Sequence, residues 1–227
     1  MATGIIVGRP FTGIFWGLEA VHSALIALIC FLIVLKTREA QQLSAHEGIR
    51  YFRRTFLFFG LASLLKLLIR HLALSFFVYP GLLAVADWVV ALGVTGIIYA
   101  HTMAAFCLLY SIAWKDRGTQ PWVLHLLALG VALIITFTNA AALYIAFQIF
   151  MIAYSAGVIH SLGKVKRGRS SQMLVIYELL LVFWMVNLLD TLIPVSPAWQ
   201  VIMYLASFGI FVAILLKVWR RLGVKTT

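Results

Sequence analysis

Lys66 and Arg70 stand four residues apart inside the apolar run TFLFFGLASLLKLLIRHLALSFFV, Thr55–Val78. On a helix that spacing puts both cations on one face, together with Ser63 and Ala73. A cation at the centre of a bilayer costs about 2.5–3.5 kcal/mol on insertion scales, so it faces a partner or a water-filled cavity. Two cations on one face need anions from other helices, and the rest of the chain must supply them. The chain has only seven Asp and Glu residues to offer. Of these, Glu19, Glu178 and Asp190 fall within apolar runs, Glu178 near the end of its run and so read as interfacial, and Asp87 falls at the start of one. His22, His71 and Asn187 lie at comparable depth. The candidate ligand- or ion-binding set is therefore Glu19, His22, Lys66, Arg70, His71, Asp87, Asn187 and Asp190.

Other chemistries have less in the sequence to stand on. No HExxH or CxxC spacing is present, so a zinc site has no ligand pattern. Serine-nucleophile, P-loop and dinucleotide motifs are absent as well, and enzyme activity has no support. A haem held by His22 and His71 is a third-ranked reading, because the two sit at similar depth on neighbouring runs. Otherwise no cofactor is expected. Cys30 and Cys107 both lie inside apolar runs, as apolar residues would, and do not suggest a disulfide framework. Two seven-span families share the topology described below, and neither fits. Microbial rhodopsins carry a retinal-binding lysine midway along span seven; here AWQVIMYLASFGIFVAILLKV has Lys217 only at its end, so no retinal is expected. Sugar transporters of the SWEET type carry proline-containing pairs in spans one and five, and this chain has no proline there.

These residues need membrane helices to position them. The 227 residues are 63% hydrophobic and only 11% charged, and the mean hydropathy is +1.03. That composition, in repeated apolar blocks, marks a polytopic membrane protein. Seven spans are expected, at roughly Gly13–Leu35, Thr55–Val78, Leu82–Trp114, Trp122–Thr138, Ala140–Leu162, Met173–Ile193 and Ala198–Val218, in one domain covering residues 1–227. Tyr79-Pro80-Gly81, Gly118 with Pro121, and Pro194 with Pro197 punctuate three of the breaks. The break between spans four and five rests only on Thr136, Thr138 and Asn139. The opening MATGIIVGRPFTG lacks a cationic start and reads as a retained tail.

The net charge of +11 does not point to nucleic acid, because the basic residues sit in short clusters between apolar blocks. Fifteen of the eighteen Lys and Arg residues lie between spans one and two, after span three, after span five, or after span seven. The positive-inside rule then places the N-terminus outside and the C-terminus in the cytoplasm. The expected fold is an all-α bundle of seven transmembrane helices in the plasma membrane, compatible with a homo-oligomer. The lipid bilayer and a small polar or ionic solute are the expected partners.

Depth completes the reading. Glu19, His22, Arg70, His71, Asn187 and Asp190 fall in the outer half, Lys66 lies near the middle, and Asp87 lies at the outer level or at the interface. An outward-facing charged cavity walled by spans one, two, three, six and seven would satisfy them, with Glu19 and Asp190 neutralising Lys66 and Arg70. Such a cavity serves a transporter or channel, with a seven-helix sensor or receptor as the alternative. The blander account is a set of buried ion pairs that only fixes helix register.

Overall fold

A computed structural model of the chain describes residues 13–44, 47–78, 83–113, 120–138, 140–165, 171–192 and 196–222. All seven segments are helical: α1 Gly13–Ser44, α2 Glu47–Val78, α3 Leu83–Ala113, α4 Pro121–Thr138, α5 Ala141–Val165, α6 Ser171–Leu192 and α7 Pro197–Leu222. No strand occurs among the described residues. Each of the seven is long and apolar enough to cross a membrane.

Local chemistry accounts for the helix ends. Pro121 and Pro197 each occupy the first position of a helix, where the missing N–H has no intrahelical partner to lose. Ser196 caps α7: its hydroxyl accepts the Trp199 backbone N–H at 3.2 Å. The thin polar hint between spans four and five does mark a real break. There the Ala140 carbonyl accepts the first bonds of α5, from Leu143 N–H at 3.0 Å and Tyr144 N–H at 3.2 Å.

The largest departure from the expected spans lies between the first two. The segment from Lys36 to Arg54 reads as a basic connection, yet α1 runs on to Ser44 and α2 begins at Glu47. The stretches KTREAQQLS and EGIRYFRR are mostly built of Arg, Lys, Glu, Ala and Gln, which are good helix formers, and charge does not end a helix as Gly or Pro does. At about 1.5 Å per residue, these two 32-residue helices are each about 48 Å long, well beyond a hydrocarbon core of about 30 Å.

Several hydroxyl groups within the helices are satisfied by the preceding turn. Thr37 donates to the Ile33 carbonyl at 2.7 Å, Thr55 to Tyr51 at 3.1 Å, Ser63 to Phe59 at 3.0 Å and Thr95 to Ala91 at 2.8 Å. A polar side chain can thus enter an apolar bundle without a partner on another helix.

Helix α3 is central. In its span 44% of residues are buried, against 22% in each of α4, α5 and α6. Its most extensive neighbour is α2, which in turn packs on α1; α7 lies against α1 and α6, while α4 and α5 flank α3. Four phenylalanines form the middle of the core. Phe183 and Phe211 meet edge to face at 4.3 Å, Phe59 lies 5.7 Å from Phe183 and 6.5 Å from Phe211, and Phe56 lies 6.2 Å from Phe211. The near-perpendicular rings suit the aromatic quadrupole.

Glycines allow the closest helix approaches, as is usual where packing and not water exclusion draws helices together. A Cβ on Gly60 would come within 3.1 Å of the Cys30 Cβ on α1. A Cβ on Gly93 of α3 would overlap the side chain of Ile69 on α2. Gly93→Ala is therefore expected to destabilise the protein by about 1–3 kcal/mol through overpacking. Ile69→Ala in the same chain should recover part of that loss. Thermal unfolding of the purified single and double variants checks this; an additive double variant would mean that the two residues do not meet.

Candidate functional site

The upper end of the bundle, where α1, α3, α5 and α7 begin and α2, α4 and α6 finish, holds Glu19, Lys66, Arg70 and Asp190. Glu19 lies one and a half turns into α1 and is only 4% exposed. It shares the buried face of α1 with Ser23, Ile26 and Cys30. Its Oε1 accepts from Lys66 Nζ at 2.9 Å, and its Oε2 pairs with the guanidinium of Arg70. A single carboxylate thus bridges Lys66 and Arg70 of α2.

The faces of α2 reveal what surrounds these cations. Leu57, Leu61, Leu64, Leu68 and His71 form its exposed stripe. At about 100° per residue, Lys66 and Arg70 fall roughly opposite, on the face that carries Thr55, Phe59 and Ala62. Those three are 0%, 4% and 1% exposed. Yet the side chains of Lys66 and Arg70 keep 39% and 23% of their surface exposed. The inward face of α2 is therefore sealed at the phenylalanine layer and accessible above it.

Further polar groups gather around this position. His22, one turn below Glu19, stacks on Tyr204 of α7 with ring centroids 4.5 Å apart and planes 15° apart. The charge of Lys66 acts on both His22 and His101, and that of Glu19 on His22. His22 Nε2 and His101 Nδ1 are both buried with no hydrogen-bond partner. His101 sits at the top of the aromatic layer, its ring 6.2 Å from that of Phe59. On α6, Asn187 donates to the Phe183 carbonyl at 2.8 Å and lies 3.5 Å from the Ser207 hydroxyl of α7. One turn further up, Asp190 is half-buried, level with Tyr204 and His22 across the antiparallel α6–α7 pair, and its Oδ1 is buried.

Two expected members have other surroundings. Asp87 is exposed in the first turns of α3, toward the end of the bundle. His71 is exposed on the apolar stripe of α2, with Nδ1 3.1 Å from the Leu67 carbonyl oxygen. His22 and His71 thus differ in setting, one against α7 and the other outward. No group of three or more His, Cys, Asp and Glu able to hold a metal occurs among the described residues. Glu178 is exposed on α6, in line with Val182 and Met185. A second buried polar contact lies elsewhere, where the Trp184 indole donates to Gln148 Oε1 between α6 and α5.

The class defined by this fold is an all-α chain with seven helices fit to span a membrane, carrying a charged cluster near one end. A protein of Archaeoglobus fulgidus described as an uncharacterized protein is similar to this chain. The two are 28% identical over 210 residues, which cover 90% of this chain and 92% of that one. No family model matches the sequence, and no solved structure matches it.

Proposed function

We propose that this chain is a plasma-membrane protein that binds and passes a small polar or ionic solute through an outward-facing charged cavity. One observation carries the reading: Lys66 and Arg70 project from the inward face of α2, remain accessible, and are held together by one buried carboxylate. A register-fixing ion pair would be expected to be closed over, because its Coulombic gain falls wherever water reaches it. Glu19, Lys66 and Arg70 form the centre of the site, with His22, Asn187 and Asp190 around it. Purified protein in liposomes should support solute flux that is lost in an Arg70→Gln variant. Ligand binding without flux would favour the sensor or receptor instead.

Placing the site on the outer side rests on the basic residues at the opposite end of the bundle. A single cysteine at Ser171, in a chain lacking Cys30 and Cys107, is expected to resist impermeant thiol reagents added to intact cells. A cysteine at the exposed Ser196 is expected to react. The reverse labelling pattern would turn the site toward the cytoplasm.

A further inference from the structure

We infer that the ligand of this site is a small oxyanion, bound through carboxylate or phosphate oxygens to Lys66 and Arg70. The inference rests on the binding site proposed above and narrows its ligand to one chemical class.

Hydrogen-bonding capacity decides the matter. Glu19 is acceptor-only when ionised, and each of its oxygens is already engaged by a cation. Lys66 has three N–H donors and Arg70 has five, so one bond each to Glu19 leaves most of them available. These donors belong to the side chains that stay accessible, whereas the Glu19 side chain lies behind them at 6% exposure. What the position presents to an entering molecule is a surplus of donors.

Geometry points the same way. The buried Glu19 holds the two cations side by side against their mutual repulsion. The planar Arg70 fork matches the two oxygens of a carboxylate or a phosphate. An organic cation would meet Lys66 and Arg70 before any free acceptor. Asp190, level with His22 on α6, is the one other acid at this height among the described residues, and it opposes an anion.

The source of the oxyanion, a free solute or a lipid headgroup, is separated by experiment. Thermal unfolding of the full chain is measured in a lipid-free, uncharged detergent with sodium acetate, sodium phosphate, choline chloride or glycerol, at constant ionic strength with sodium chloride. Acetate or phosphate is expected to raise the midpoint in proportion to ln(1 + [L]/Kd). The shift should vanish in Lys66→Gln and Arg70→Gln and persist in the control Arg53→Gln. Should Arg70→Gln not fold, Arg70→Lys keeps the charge and loses the fork, and a several-fold weaker effect is expected. Asp190→Asn should strengthen the response; a tenfold weakening would overturn the simple anion in favour of a zwitterion. A rise seen only in nanodiscs with phosphatidylglycerol, and not with phosphatidylcholine, supports the oxyanion chemistry with a lipid source, and overturns the free solute. An Arg70-dependent response to choline or glycerol but to no oxyanion overturns this inference and leaves the site standing. No Arg70-dependent response to any of them overturns both.

Discussion

Glu19→Gln is expected to destabilise the protein by about 3 kcal/mol, the largest loss for any change that preserves side-chain size. Removing one partner from a buried ion pair typically costs about 3–5 kcal/mol, because the charge left behind has lost its compensation. Here two cations would be left facing a neutral amide, but Lys66 and Arg70 keep part of their side-chain surface exposed, which places the effect at the lower end. Replacing all three residues at once, as Glu19→Gln with Lys66→Met and Arg70→Met, should recover most of the stability, since an apolar substitute for a buried charged group is often neutral or better. Unfolding in detergent measures the stability, and flux or ligand binding measures the function. Stability that returns while binding stays lost marks the cluster as a site. If both return, the charges only hold helices together and the proposed function fails.

Phe211→Ala is expected to cost about 3 kcal/mol, for a different reason. Phe211 is fully buried, at 0% exposure, with Phe183, Phe56 and Phe59 around it. Truncating a core Phe in a water-soluble protein costs about 3–5 kcal/mol, part of it hydrophobic transfer. Between membrane helices that part shrinks, since lipid is as apolar as the core, and lost packing contacts dominate. The same change thins the layer beneath Lys66 and Arg70. Liposomes carrying the variant should therefore leak small ions at a rate above those carrying the unaltered protein. A variant equally stable and equally tight would remove the phenylalanines from any sealing role.

Much of this was legible in the sequence, and what was not has identifiable causes. Apolar blocks of 18 residues or more reveal spans because a bilayer demands them; nothing comparable demands that a helix stop at the interface, so the continuation of α1 and α2 through Lys36–Arg54 went unseen. Cost per buried charge singles out Lys66, Arg70, Glu19 and Asp190 one helix at a time. That Glu19 bridges Lys66 and Arg70 depends on how α1 is rotated against α2, and rotation is a property of the pair. His71 is the instructive miss. Its depth matched that of His22, but its place in line with Leu57, Leu61, Leu64 and Leu68 already assigned it to the outward face. Helical spacing puts His101 on a face with Asp87, but the two are about four turns apart, so one lies near the end of the bundle and the other over Phe59.

The bridge from Glu19 to α2 also has a mechanical meaning. Only residues 45 and 46 separate α1 from α2 at the lower end, and the Glu19–Lys66–Arg70 link ties them near the upper end. Gly60 seats the two rods against each other between these points. Sliding one rod past the other by a single turn, about 5.4 Å, would tear the carboxylate from both cations. The pair resists shear as a braced strut does and can tilt only as a unit, with α3 pressed along its side. Compliance is then left to α5, which lies only lightly against α3, α4 and α6.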